Sequence, residues 1–423
     1  MKQFFAGENK ILLYYIIMMV PLVMATTPDA SYSMIIRMGY FALLLLPLFN
    51  NPQFTPFVIL AFYGFADNAC FCFLPDSYLI RYAVVLGLLL LNGHRNSFNV
   101  NQVIPYIVLL FYTYLISLFY NDSGEVFLNT SFYALLLAPF IKDEKDVSRL
   151  AIGFCLMSGA LAVSYYLNFS YFAIDYGLDE DFERGSWQNL NVLAASIGCG
   201  LPLTVAFLID VLKWERNKIF NWLLIGNAVI ILLAILSMSS RGAAIAAMGS
   251  SLLLFLFSPK YKNKYKVWTV VGLAAAVLLL YELGFFDLLY YRLTTSDTTS
   301  SVGGRTEIWA TKLQAFSEQG FLSQFFGIGR KNTIDLGIFF STHNDYLTSL
   351  IAFGYIGAML FLIFILYPLF RAGKDKKDLF FLLLFVMMEC FVVEPFFRGY
   401  FHFWMFYLML NKMAVLRDAR RYV

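Results

Sequence analysis

Apolar stretches separated by short polar breaks run the whole length of the chain, at approximately 11–25, 31–50, 53–69, 78–93, 102–120, 126–141, 148–173, 190–212, 219–238, 241–258, 267–284, 343–370, 378–395 and 398–416. Most approach the roughly 20 residues that a helix needs to cross the hydrocarbon layer. The pattern breaks once, between 284 and 342, and predicts three segments: N-terminal membrane helices over 1–283, a loop over 284–342 and C-terminal membrane helices over 343–423. Inside the loop, Ile308, Trp309, Leu313 and Phe316 recur at helical spacing while Lys312, Gln314 and Glu318 fill the other face. That spacing predicts a short helix lying on a membrane surface and closing near Gly320.

Composition agrees. Hydrophobic residues make up 60% and charged residues 14% of 423 positions, with a mean hydropathy of +0.68, which excludes an ordinary soluble domain. The net charge of +3 says little; the placement of the cations says more. Lys142, Lys145 and Arg149, then Lys213, Arg216 and Lys218, then Lys260 to Lys266, then Arg371 to Lys377 and the Arg417–Arg421 tail fall in alternate loops, in phase with Lys2 and Lys10. By the positive-inside bias these loops and both termini are cytoplasmic, and the 284–342 loop faces the opposite side. A retained first helix is expected rather than a removed signal peptide. Five cysteines, all in or beside apolar runs, have neither metal nor redox spacing and are expected to be packing residues. No internal repeat is evident.

Arg241, Arg305, Arg330 and Arg398 run against the charge bias by falling on the lysine-poor side. Arg305 follows Gly303-Gly304 at the start of the short helix, where free backbone N–H groups favour an anion. Snorkelling to lipid headgroups is its alternative role. Arg241 opens a helix rich in small residues, Gly242, Ala243, Ala244, Ala246, Ala247 and Gly249; a ligand or a salt bridge to Glu282 or Glu394 would both account for it. Arg330, in Gly327-Ile328-Gly329-Arg330, reads equally as a phosphate ligand or a solvated loop residue, and Arg398 as a partner of Glu394. His343 follows Ser341-Thr342, a plausible N-cap, and precedes Asn344-Asp345 at the mouth of a helix. It is either structural or a proton acceptor that helix polarity keeps neutral. Two or three arginines can hold a diphosphate and absorb the charge that builds on it as a leaving group, and one base can deprotonate the attacking hydroxyl. No pair of carboxylates suits glycoside hydrolysis and no cluster has metal-ligand spacing; the acidic run Asp179–Glu183 reads as a cation site or, more simply, a solvated loop.

Ser240-Arg241-Gly242-Ala243, Gly304-Arg305 with Trp309, Gly327-Ile328-Gly329, and His343-Asn344-Asp345-Tyr346-Leu347 followed by Gly354 and Gly357 resemble, in order and spacing, the O-antigen ligase and polymerase family. The motifs span roughly 235–370. The resemblance implies an all-α, GT-C-like polytopic protein of about 12–14 transmembrane helices in the bacterial inner membrane, with one large periplasmic loop and the active site on the periplasmic face. It implies a metal-independent, cofactor-free, inverting glycosyltransferase that uses undecaprenyl-diphosphate-linked sugars. Arg241 and Arg305 then bind the donor diphosphate, Arg330 beside the glycine turn is a further candidate, His343 is the base, and Gly304, Asn344 and Asp345 support it. The expected partners are lipid-linked donor and acceptor oligosaccharides, membrane lipid and a chain-length regulator protein, with no nucleic acid. A polymerase, joining the growing lipid-linked chain to the next lipid-linked repeat, is the favoured expectation. A ligase acting on lipid A-core is the alternative, and a lipid-linked oligosaccharide flippase is the alternative from another class. A flippase calls for short loops and a cationic central cavity, whereas this chain concentrates its features in one outer loop.

Overall fold

The computed structural model describes residues 7–24, 47, 50–66, 103–121, 138–167, 190–214, 218–238, 240–282, 284, 305–337, 341–372 and 376–419. The spans predicted at 31–50, 78–93 and 126–141, the acidic run and Gly303-Gly304 lie wholly or largely outside these residues. Regular structure among the described residues is helical: α1 (Lys10–Met24), α2 (Thr55–Ala66), α3 (Ile104–Phe119), α4 (Glu144–Leu167), α5 (Leu190–Gly198), α6 (Gly200–Leu208), α7 (Lys218–Ser237), α8 (Arg241–Leu256), α9 (Asn263–Glu282), α10 (Arg305–Ser317), α11 (Phe321–Phe326), α12 (Arg330–Asp335), α13 (Asp345–Ala372), α14 (Lys377–Val392) and α15 (Phe401–Ala419). Four stretches are long and apolar enough to cross a membrane: Glu144–Leu167, Asn191–Leu208, Lys218–Ser237 and Asp345–Ala372.

α4 is the axis of the first half. α1, α2, α6 and α7 all pack on it, and nearly every residue from Val147 to Tyr165 is buried. Small residues allow this: a Cβ on Gly159 would stand 1.9 Å from Oδ1 of Asn227, whose amide instead reaches across from α7 to donate to the Cys155 carbonyl at 2.9 Å. Close backbone approach and a cross-helix hydrogen bond are the two means by which helices associate in lipid. Cys155, Cys199 and Cys390 are buried free thiols, in keeping with a packing role.

α8 and α14 pack antiparallel, with Gly242 against Val392 at one end and the Phe257 and Phe381 rings stacked at 5.3 Å at the other. This pairing divides the polar residues. The predicted basic loops gather at one end, around a cavity of about 790 Å³ lined by Glu144, Asp210, Lys213, Lys260, Lys377 and Arg417. Arg241 begins α8 at the opposite end, where α14 terminates two residues before Glu394.

Within the predicted loop, Arg305, Trp309, Lys312 and Phe316 of α10 lie at successive turns of one inward face. This corrects the pattern read from sequence, which put Lys312 outward and Leu313 inward. Lys312 is fully buried because Nζ donates to the carbonyls of Thr333, Ile334 (3.2 Å) and Leu336 (3.2 Å), so it satisfies the C-terminal end of α12. Phe316, Ile328, Leu347 and Ile351, with Trp309, Leu336 and Leu350 around them, form a small second core between this region and α13.

Candidate functional site

Two glycines bring the loop onto α13. Gly354 interrupts that helix at φ +69°, leaving the Ile351, Ala352 and Phe353 carbonyls without their usual partners one turn on. The turn Gly327-Ile328-Gly329 fills the gap. The Ile328 N–H donates to the Ile351 carbonyl at 3.1 Å, the Gly329 N–H to Ala352 at 3.0 Å, and the Tyr112 hydroxyl to Phe353 at 3.0 Å. A Cβ on Gly327 would lie 2.2 Å from the Ala352 carbonyl oxygen, and one on Gly354 2.3 Å from that of Phe325. The glycines therefore serve a backbone-to-backbone seam. Arg330, next in sequence, opens the six-residue α12 and stands half-buried there.

The chemistry collects where the segment before α13 meets the turn after α14. Asn344 caps α13, its Oδ1 accepting the Leu347 N–H at 3.1 Å. This displaces Ser341-Thr342 from the capping role expected of them and starts the helix at Asp345 rather than 343. Asp345 is fully buried and accepts the backbone N–H groups of Phe396 (3.1 Å) and Phe397 (3.0 Å), which clamps the second turn onto the helix. His343 and Glu394, both with positive φ (50° and 57°), stand on either side of this clamp.

Glu394 is the hub. Its carboxylate accepts from Thr348 Oγ1 at 2.6 Å, Ser341 Oγ at 3.0 Å and Arg398 Nε at 3.3 Å, and Thr342 is hydrogen-bonded to Thr348 behind it. Because an ionised carboxylate only accepts, Ser341 spends its proton on Glu394 and must accept from Arg398 Nη2, 2.8 Å away. The same Nη2 reaches Nδ1 of His343 at 3.1 Å. Arginine has no acceptor, so Nδ1 carries the lone pair and Nε2 the hydrogen. Glu394 thus sets the imidazole tautomer through Arg398.

Arg305 joins from α10. One turn beyond it, Trp309 Nε1 donates to the Thr342 carbonyl at 2.7 Å, which hangs this helix beside His343. Arg305 is partly buried and has no hydrogen bond or ion pair with a described residue. Burial first and then the nearby Arg398 charge lower its pKa, against the opposing pull of Glu389. His343 is pushed down to about 4, by burial first and then by Arg398 and Arg305, with Glu394 opposing. It is therefore neutral at ambient pH but a weak base in this field. Glu389, fully buried on α14, has no hydrogen-bond partner on either oxygen among the described residues. Arg241 is exposed at this same end, beside the Gly242–Val392 contact, and makes no ion pair with Glu282 or Glu394 among the described residues. Its field, like that of Arg330, is not among those that shift His343.

The structure thus joins His343, Asn344, Asp345 and Arg305 in one neighbourhood, sets Arg241 at its edge and leaves Arg330 at the glycine seam; Gly304 lies outside the described residues. Sequence reasoning gave Arg398 only as a partner of Glu394 and Ser341 only as part of an N-cap, and it passed over Thr348. The predicted pair of Glu394 and Arg398, at i, i+4 spacing, is present.

Fold and site together define, among the described residues, a helical bundle with four stretches long and apolar enough to cross a membrane and a half-buried, cation-rich polar cluster at one end. Residues 226–362 match the family described as O-antigen ligase, which bears out over that stretch the resemblance to the O-antigen ligase and polymerase family and its glycosyltransferase-like enzymes. An uncharacterized protein of Haemophilus influenzae is 25% identical over 301 residues, covering 63% of this chain and 71% of that protein.

Proposed function

We propose that the protein is an inner-membrane polymerase of a surface polysaccharide, moving a glycan from a polyprenyl diphosphate to a hydroxyl of the next lipid-linked repeat. The observation that carries this reading is the charge imbalance at the site. Two half-buried guanidiniums, Arg305 and Arg398, lie close enough to depress the same imidazole, and only Arg398 has a carboxylate partner. A dianionic diphosphate supplies the missing charge, and a planar guanidinium fork is suited to holding it. In this reading Arg241 and Arg330 serve as an outer cationic rim for the diphosphate, and Gly304 is the supporting residue before Arg305 in the sequence.

The acceptor hydroxyl oxygen attacks the anomeric carbon as the bond to diphosphate breaks. The electron pair leaves on the phosphate oxygen, where arginine stabilises it, and the hydroxyl proton passes to His343. A single displacement of this kind inverts the anomeric carbon. The 284–342 region faces the periplasm in this reading, the termini face the cytoplasm, and the chain crosses the membrane about 12–14 times. A chain-length regulator is the expected protein partner. Purified protein incubated with lipid-linked repeats in detergent tests it: a ladder of lengthening products supports a polymerase. Product formed only on addition of lipid A-core points to a ligase. Lipid translocation in proteoliposomes without new glycosidic bonds points to a flippase.

A further inference from the structure

The nitrogen that must receive the acceptor's proton is the one Arg398 occupies. With Nε2 protonated, Nδ1 is the basic atom of His343, and Nη2 of Arg398 sits on it at 3.1 Å. We propose that Arg398 is a positioning residue that guards the base: it holds Nδ1 of His343, and the donor diphosphate draws the guanidinium away, so that the imidazole becomes a competent base only beside a bound donor. The inference rests on the glycosyl-transfer reading.

Three observations support it. Arg398 is tethered through Nε to Glu394, with Tyr400 from the same turn also interacting with it, while Nη2 is shared between Ser341 and His343. Its guanidinium therefore keeps its tether if Nη2 turns to a new acceptor. The side chain is 27% exposed, against 4% for Glu394, so the cation and not its anchor faces the open side. Finally, the charged groups around His343 are unbalanced: Arg398 and Glu394 come from the turn after α14 and Arg305 comes from α10. Asp345 on α13 is engaged with the Phe396 and Phe397 N–H groups, and the field of Glu389 on α14 bears on Arg305. Two negative charges placed among these cations offset the part of the depression that Arg398 and Arg305 add to burial, and so raise the basicity of the imidazole when the acceptor needs it. During transfer the acceptor's O–H bond breaks, its proton goes to Nδ1 to give the imidazolium, and the diphosphate leaves with the bonding pair. Water arriving without donor meets a blocked and weakly basic histidine.

Two measurements test it. The first follows the His343 ring nitrogens by ¹⁵N magnetic resonance across pH in the full-length protein, with and without farnesyl diphosphate, His343→Gln assigning the signal; it needs no transfer. The diphosphate should raise the His343 titration by about one pH unit or more. The second compares the pH dependence of transfer for wild type, Arg398→Gln and Arg398→Lys. In wild type the acid limb of kcat/KM, which reports the free enzyme, should lie near 4, and that of kcat should lie higher. Arg398→Gln should bring the kcat/KM limb up toward the ordinary histidine range and raise KM for donor, with Arg398→Lys between. If diphosphate leaves the His343 titration of the wild type unmoved, the guard does not exist, whether or not the variant folds. An unshifted kcat/KM limb in a folded Arg398→Gln overturns it as well. Neither result bears on whether polymer forms, so the functional reading stands or falls separately.

Discussion

The two ends of the helical bundle use cations differently. Around the large cavity, the cations are either paired or open to water: Lys260 pairs with Asp210 at 2.6 Å and Arg417 with Asp378 in a bidentate pair, while Lys213 and Lys377 are exposed. At the other end Arg305 and Arg398 crowd one histidine, and of the two only Arg398 is paired. Paired surface charges contribute only about 0–1 kcal/mol and organise loops. Partly desolvated guanidiniums without enough counter-charge are costly unless something anionic joins them. The difference separates scaffold from site without reference to motif.

The most complete break of this contrast would be a wrong orientation. Single cysteines at Glu318 and Lys264, both exposed, in a background without native thiols, can be probed with an impermeant reagent in outer-membrane-permeabilised cells. Glu318→Cys should label and Lys264→Cys should not; the reverse pattern would put the arginine cluster on the cytoplasmic side.

A graded break follows. Arg305→Lys keeps charge but loses the fork, and transfer should fall about 10²–10³-fold, as when one donor to a developing anion is removed. Lys260→Met at the far end should leave the rate within about twofold of wild type, since its pair is a partly exposed one. Equal losses at both ends would erase the distinction.

Between the ends lies the seam at Gly354. Gly354→Ala must place a Cβ 2.3 Å from the Phe325 carbonyl oxygen on a left-handed backbone. A loss of about 1–3 kcal/mol is expected, read as a lower thermal midpoint, together with a raised donor KM as α10 loosens from α13. Arg330→Ala should have the smallest effect of the rim arginines, a rise of about tenfold or less in donor KM with little change in kcat, since each tenfold is only ~1.4 kcal/mol of binding. A collapse of kcat there would make Arg330 a partner of the leaving group rather than a neighbour of the seam.

Much of the scaffold was legible because periodic hydrophobicity reports burial directly: predicted spans such as 148–173, 219–238 and 241–258 lie within a few residues of α4, α7 and α8. His343 and Arg305 were also legible as polar groups at element starts. What stayed hidden depends on contacts far apart in sequence. Lys312 reads as a surface lysine until the carbonyls of 333–336 fold over it. Arg398 reads as half of an i, i+4 pair, because its contact with His343 spans 55 residues. The glycines of Gly327-Ile328-Gly329 read only as the turn that carries Arg330; the Ile328 and Gly329 N–H groups in fact meet the Ile351 and Ala352 carbonyls, freed by the kink at Gly354 further along the chain.

The central claim is that Arg305 binds the donor while His343 acts on the transition state. Donor binding and chain formation, measured separately on purified wild type, Arg305→Ala and His343→Ala, test it most directly. His343→Ala should bind lipid-linked donor about as well as wild type and extend chains about 10²–10⁴-fold more slowly, while Arg305→Ala should lose both. Normal polymer at a normal rate from His343→Ala would contradict the claim, leaving the histidine a structural element of the Glu394–Arg398 cluster.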